Sequence, residues 1–255
     1  MLPDLLIAVP VKNAERHLDS HFRLIEQFDY PRRKLSLAYL ESDSDDGTHA
    51  ALAARLAQLR GHYRRSRLFQ QPQGFRLRPE VPRWADEIQL VRRAALARSR
   101  NQLLARALRD ETWVLWLDVD VISAPSDLIR TLLATGKDIV HPHCVLTPGG
   151  PSFDRNAWRD HGQVLLENLR GQGPVVRLDT VGGSVLLVRA DLHRNGLIFP
   201  PFLYGPDHRL ARNPGPWAKF GLRGEIETEG FGLMAHDMGH LCWGLPDCEV
   251  LHFPG

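Results

Sequence analysis

Cysteine is scarce: three residues in 255, Cys144, Cys242 and Cys248, an odd number with no CxxC spacing. That argues against a disulfide framework and suits a reducing compartment. No apolar run approaches the roughly 20 residues that span a bilayer. The opening MLPDLLIAVPVKN also lacks the basic region of a secretory leader. It reads instead as the first strand of a soluble protein, so a cytoplasmic location is expected, with membrane contact at most peripheral. No internal repeat or low-complexity tract is present, which leaves no basis for a solenoid or a fibrous chain. Lysine is missing from Arg60 to Arg109, where thirteen arginines meet three acids. With a net charge of +2 overall, the remainder carries about −8 by difference. Such a local excess suits phosphates of a small molecule, a nucleic acid or an acidic membrane face; it is equally what plain surface charge in an arginine-rich proteome would give. Aromatic residues in that stretch are few (Tyr63, Phe69, Phe75, Trp84), which disfavours a base-stacking nucleic-acid surface.

What remains is ordinary globular composition, 43% hydrophobic and 24% charged. A chain of this length buries roughly three quarters of its unfolded surface, enough for one domain without staples. LLIAVPV, ending at Asn13, is a continuous apolar run, as expected of a strand covered on both faces. Residues 15–28 carry Leu18, Phe22, Ile25 and Phe28 at helical spacing. KLSLAYL is strand-like, DDGTHAALAARLAQL a helix with a polar start, and RRSRLFQ a third strand. Residues 72–83, with Pro72, Gly74, Pro79 and Pro82, form a loop. Asp86–Leu108 is a long helix and TWVLWLDVDVI one further strand. In the second half, APSDLIRTLLATG is a short helix, KDIVHPH and GGSVLLVRADL are strands, and ETEGFGLMAHDMGH is a helix. LCWGLP and a separate last strand, EVLHF, follow. Residues 142–182 are Gly- and Pro-rich, and 200–224 are irregular, a length usually functional and read here as a flap.

Alternation of strand and helix predicts an α/β chain with a mostly parallel sheet flanked by helices. Ligands of such sheets sit beyond the carboxyl ends of the strands. Polar residues gather at three of those ends: Asn13, then Glu41-Ser42-Asp43, then Asp118-Val119-Asp120. Alternation along one strand would put Asp118 and Asp120 on the same face, about 7 Å apart. Burying both unpaired is costly. A hard divalent cation, Mg2+ or Mn2+, removes the difficulty and in turn holds substrate phosphates. The competing reading is a strand end reaching solvent. Asp43 is placed to accept from a ribose hydroxyl or base N–H, and Asp45 or Asp46 to cap the next helix. Arg93 and Arg100 flank the same crevice, and arginine pairs bidentately with phosphate. The alternative is a solvated arginine face. Gly182-Gly183 either lets backbone approach a ligand or makes a plain turn. Glu227 and Glu229 either orient a sugar hydroxyl or move a proton, or are first-turn acids favoured by the helix dipole. His236 and His240 have the spacing of HExxH, yet Asp237 replaces the glutamate base and Gly239 weakens the helix, which rejects a zinc peptidase. His252 in the last strand could complete a metal shell, although a lone histidine is more often structural.

Taken together, these residues resemble the nucleotide-sugar glycosyltransferases of the GT-A (Rossmann-like) fold. More narrowly, they resemble the fungal Golgi α-mannosyltransferases that build the mannan backbone, glycosyltransferase family 62. The similar stretches run in order: AVPVKNAERHL, FDYPRRKLSLAYLESDSDDGT, RRAALARSRNQLL, WVLWLDVDVISAPSDLI, KDIVHPH, VGGSVLLVRADLHRNGLIFP, ETEGFGLMAHDMGH and GLPDCEVLHF. The resemblance implies a GDP-mannose donor, a Mn2+ (or Mg2+) ion and retention at the anomeric carbon. It places Asp118, Asp120 and His252 at the metal. It puts the end of the first strand, Pro10 and Asn13, with Ser42 and Asp43, on the nucleotide. The family is membrane-anchored and this stretch shows no anchor, so a soluble, bacterial-type version with its own acceptor is expected. The expected architecture is a single domain with a nucleotide-binding half (1–122) and an irregular acceptor lobe (123–255) that includes the flap. The expected reaction moves a sugar from a GDP-sugar to a saccharide or glycoconjugate. Two alternatives stay open: an inverting GT-A transferase that uses another nucleotide sugar, with Glu229 as general base, and a nucleic-acid-binding protein using the 60–109 arginines.

Overall fold

The computed structural model describes residues 2–77, 80–82 and 85–254, so Pro79 and Trp84 lie outside the described residues. The chain opens with β1 (Leu5–Val11), buried at all seven positions, as a continuous apolar run requires. Then come α1 (Leu18–Gln27), β2 (Leu35–Glu41), α2 (Thr48–Gln58), β3 (Arg65–Gln70), α3 (Asp86–Ala107) and β4 (Trp113–Leu117). These four strands pair in parallel in the order β3-β2-β1-β4. Alternation along β1 divides the interior in two. Leu5, Ile7 and Val9 join Phe22, Ile25 and Leu52 on one face. Leu6 and Ala8 join Ala97, Leu103 and Leu104 of α3 on the other. Alanines along α3 let its axis approach the sheet closely.

The second half is mixed. It holds β5 (Val121–Ser123), α4 (Leu128–Ala134), β6 (Ile139–Val145), a hairpin of β7 (Trp158–Arg159) and β8 (Val164–Leu165), and β9 (Val176–Leu178). It closes with β10 (Val185–Arg189), α5 (Ala190–Arg194), α6 (Glu227–Asp237) and β11 (Cys242–His252). β10 inserts antiparallel between β4 and β6, and β11 runs parallel to β6. β5 and β9 add antiparallel to β11.

Four expected elements differ, the first being GGSVLLVRADL, whose strand β10 ends at Arg189 while Ala190–Arg194 forms α5. Thr112–Ile122 is not one strand: β4 stops at Leu117, and Asp118–Asp120 form a turn before β5. The Asp118 N–H donates to Ser184 O (2.8 Å) and the Val121 N–H to Asp118 O (3.3 Å). Running straight on would carry two carboxylates into the sheet; the turn ejects them into a crevice. LCWGLP and EVLHF are instead parts of one strand, β11, with a register shift between Leu245 and Glu249 that absorbs Pro246. Finally, α6 stops at Asp237, and Gly239 at φ 84° ends it, so His236 and His240 do not share a helix. Among the described residues, no helix is long and apolar enough to cross a membrane.

Leu187, fully buried between β4 and β6, tests the mixed sheet. Leu187→Ala should cost about 2–5 kcal/mol in urea unfolding. A loss below about 1 kcal/mol would place that strand outside the core.

Candidate active site

Two adjoining cavities open at the carboxyl ends of β1, β2 and β4. The smaller, about 350 Å³, is lined by Pro10 and Asn13 after β1, Ser42 and Asp43 after β2, and Phe75. The larger, about 630 Å³, is lined by Arg93, Arg100, Asp118, Asp120, Gly183, Glu227 and His252, with Phe153–Asn156 as a further wall. Arg92 and Leu96 of α3 line both, so the two form one crevice. Glu229, Gly182 and residues 200–224 line neither cavity.

The smaller cavity owes its shape to two left-handed residues, Asn13 (φ 49°) and Asp43 (φ 54°), types that tolerate this conformation best after glycine. Asn13 Oδ1 accepts from the Asp45 N–H (2.8 Å), and the Asp43 carboxylate accepts from the Gln73 N–H (2.7 Å). Asp46, not Asp45, serves the start of α2, accepting the Thr48 N–H at 3.0 Å. Asp45 faces Arg76 instead.

At the larger cavity, ligand atoms of Asp118, Asp120 and His252 lie within 4.8 Å of one another. Asp118 keeps 31% of its side chain open and touches Arg100 Nη2 at 3.3 Å. Burial, joined by the Asp120 charge, raises its carboxyl to about 6 despite Arg100. His252 Nε2 lies 2.9 Å from Asp120 Oδ1. Its Nδ1 is 2.7 Å from the Phe253 carbonyl, so Nδ1 carries the proton and donates. A neutral His252 therefore points an Nε2 lone pair at a carboxylate. Two acceptors at that distance require a cation between them, either a proton or a metal. Burial alone would lower the His252 pKa, but the hydrogen bond and charge of Asp120, with Asp118, raise it. Two carboxylates and an imidazole oriented by a carbonyl are a donor set that fits Mn2+ or a similar ion.

A second trio, His208, His236 and Asp237, is also compact, but its hydrogens are arranged the other way. His208 Nδ1 accepts from the Leu210 N–H, which leaves Nε2–H facing Asp237 at 3.2 Å. His236 Nε2 is capped by Arg209 at 2.7 Å. These ring nitrogens already have partners and offer no open ligand set.

Arg93 and Arg100 do not present free guanidinium groups. Arg93 is locked to Glu229 Oε2 (2.6 Å), the Ile226 carbonyl (2.9 Å) and Glu227 (3.5 Å). Arg100, 1% exposed, lies between the rings of Trp116 and Phe199 and reaches Glu227, Asp118 and Gly183 O. Gly183 is glycine because a Cβ there would lie 2.5 Å from Arg100 Nη2, and Gly182 because one would lie 2.2 Å from Asp154 Oδ2. Close packing of side chains is therefore the first demand on this pair. Glu229 is sealed by Arg93, Arg212 (2.6 Å) and the Trp158 indole N–H (3.2 Å). Glu227 does line the cavity and opens α6 at φ 58°, a conformation that costs free energy in a non-glycine residue and clusters at functional sites. The arginine excess of 60–109 is not one face: Arg64 and Arg65 pair with Asp110 and Glu111, and Arg93 and Arg100 are buried. Sequence reasoning missed Arg92 and the wall 153–156. A run of arginines and a Gly/Pro-rich tract carry no periodic signal that could single them out.

Comparison with known proteins places the chain in one family and one fold. A model of the Anp1 family matches residues 2–172 and 165–203. The chain is 29% identical to the mannan polymerase complex subunit mnn9 of Schizosaccharomyces pombe, over 98% of this chain and 80% of that one. It is 25% identical to the mannan polymerase II complex ANP1 subunit of Saccharomyces cerevisiae, over 97% and 54%. Among solved structures, the mannosyltransferase PcManGT of Pyrobaculum calidifontis, in complex with GDP-Man and Mn2+, superposes with a TM-score of 0.60 at 16% identity, over 99% of this chain and 57% of that one. GalNAc-T7 with UDP, GalNAc and Mn2+ gives 0.58 at 12%, over 99% and 43%. The fold is that of the GT-A glycosyltransferases.

The site makes the metal-free protein pH-sensitive in one direction. His252 has a raised folded pKa, so its stabilisation is complete below the unfolded value near 6.5 and is lost as pH rises through the folded value. Asp118, raised to about 6, likewise favours the folded state only while protonated. Tm in EDTA should therefore fall between pH 5.5 and 8, and Asp118→Asn should flatten that slope. A wild-type slope no steeper than the variant's would contradict the assignment.

Proposed function

The chain belongs to the Anp1 family and is a mannosyltransferase-like GT-A enzyme, and from that premise we propose that it moves mannose from GDP-mannose, with retention, to a saccharide or glycoconjugate acceptor. The observation that carries this reading is the meeting of Asp118, Asp120 and His252 within 4.8 Å at the end of β4, beside a crevice continuous with the smaller cavity. Asp118, Asp120 and His252 would hold Mn2+ or Mg2+. Bound there, the ion supplies Lewis-acid neutralisation of the departing diphosphate. A similar fold in complex with GDP-Man and Mn2+ supports both the donor and the ion.

The rest follows from the chain's own residues. The cavity of Pro10, Asn13, Ser42 and Asp43 takes the nucleoside, against the 1–122 half. The diphosphate has to cross from there to Asp118, and Arg92, which lines both cavities, stands along that path. Arg93 and Arg100 act indirectly: Arg100 holds Asp118, and both arginines hold Glu227. Glu227 orients the acceptor hydroxyl from the 123–255 half. In a retaining transfer the departing phosphate oxygen can take the acceptor proton, so no protein base is needed. An inverting reaction with Glu229 as base is not favoured, since its carboxylate is shared among Arg93, Arg212 and Trp158 and lines neither cavity.

Asp120→Ala should lower kcat by roughly two to three orders of magnitude with the far-UV spectrum unchanged, and EDTA should abolish turnover; activity that survives both refutes the metal role. GDP with Mn2+ should raise Tm by mass action more than other nucleoside diphosphates do, and an equal response to all would remove GDP-mannose as donor. Arg92→Ala should weaken GDP binding by about 10- to 100-fold, the value of a charge-assisted hydrogen bond. Unchanged affinity would take Arg92 off the diphosphate path.

A further inference from the structure

The wall opposite α3 comes from the Gly/Pro-rich tract, and two of its side chains reach different arms of the carboxylate–imidazole cluster. Asp154 Oδ2 accepts from the Gly183 N–H (2.8 Å), the Ser184 N–H (3.0 Å) and the Ser184 Oγ–H (2.5 Å). Its Oδ1 accepts from the Asn156 N–H at 3.3 Å. Ser184 in turn offers its carbonyl to the Asp118 N–H at 2.8 Å. The path Asp154–Ser184–Asp118 therefore runs through three hydrogen-bonded links without a water. One residue earlier, Phe153 stacks on the His252 ring, centroids 4.1 Å apart and planes at 29°. The Phe153 N–H is fixed to the Cys144 carbonyl at 2.8 Å. Adjacent residues of one loop thus brace the ends of β4 and β11, two strands that are not neighbours in the sheet.

We infer that Asp154 and Phe153 are positioning residues for the divalent-ion site: Asp154 sets the depth and direction of Asp118 through the Gly183–Ser184 backbone, and Phe153 sets the plane of the His252 ring. Neither side chain belongs to the ligand cluster. The absence of a side chain at Gly182 is part of the same device, since a Cβ there would occupy the space of the Asp154 carboxylate. A carboxylate satisfied by four donors is rigid, and rigid outer partners keep ligand atoms at ion-binding spacing before the ion arrives. This role rests on the proposed metal site.

The test is a titration of the full chain with Mn2+, following loss of the hydrated-ion EPR signal, without and with GDP, alongside Tm in EDTA. The wild type should bind one ion per chain. Asp154→Ala should raise the Mn2+ Kd by about 10- to 100-fold, the range found for outer-shell partners. Ser184→Ala, which deletes one donor and keeps both backbone links, should raise it less. Phe153→Leu should weaken Mn2+ binding while leaving the Asp118 arm intact, so that its effect adds to that of Ser184→Ala. If Asp154→Ala does not fold, Asp154→Asn, which keeps the shape but turns an N–H toward a donor, should show the same loss of affinity with a native spectrum. Wild-type Mn2+ affinity in the folded Asp154 variant overturns the positioning role and leaves the metal site standing. A wild type that binds no Mn2+ overturns the metal site and the positioning role with it.

Discussion

Everything at the crevice answers to one electrostatic constraint: two carboxylates and an imidazole lone pair converge where the parallel half of the sheet ends. Asp118 and Asp120 repel each other, and the Phe253 carbonyl turns the His252 ring so that it adds a third acceptor. Such a cluster tolerates water-poor surroundings only with positive charge inside it. Arg100 supplies part of that charge from below. Protonation of Asp118 and His252 supplies more of it at low pH, and at neutral pH the proposed divalent ion would supply it.

Behind the cluster, charge alternates through the protein interior. Arg212 meets Glu225 and Glu229, Glu229 meets Arg93, Arg93 meets Glu227, Glu227 meets Arg100, and Arg100 meets Asp118. Three arginines and four acids form the series, so the interior holds little net charge while no carboxylate is left alone. Replacing one member strands its neighbours, which is why buried ion pairs are costly to break even where they add little to stability. The series also explains how 200–224 is held. Arg212 anchors it to the base of α6, and the Tyr204–Glu225 bridge closes its ends. The expected flap thus forms an outer layer over the ion pairs. It does not line either cavity.

Much of the fold was legible because its signals are local. β1, β2 and α3 were read within a residue or two from apolar runs and helical spacing, and the ends of β1, β2 and β4 were correctly expected to converge. The GT-A architecture and the likeness to the fungal mannan α-mannosyltransferases followed from ordered stretches along most of the chain. Less visible was what happens where a local pattern is overruled. TWVLWLDVDVI is apolar enough to read as one strand, yet it bends where the Asp118 N–H donates to Ser184 O, because that partner, just before β10, is not part of the local pattern. Asp45 and Asp46 look interchangeable in sequence, and only backbone direction selects Asp46.

The amino-acid sequence by itself determined which polar side chains could stand at the strand ends, Asn13, Asp43, Asp118 and Asp120, because period and hydrophobicity place strand ends without reference to the rest of the molecule. Tertiary structure alone decided what each arginine does. Arg93 and Arg100, chosen for phosphate, are consumed by Glu227, Glu229 and Asp118, while Arg92 borders both cavities. Successive residues of one helix point about 100° apart, so what each of them meets depends on what packs against each face. The wall at Phe153 and Asp154 is decided the same way, by contacts with Gly183, Ser184 and His252 that lie far along the chain and that no local pattern encodes.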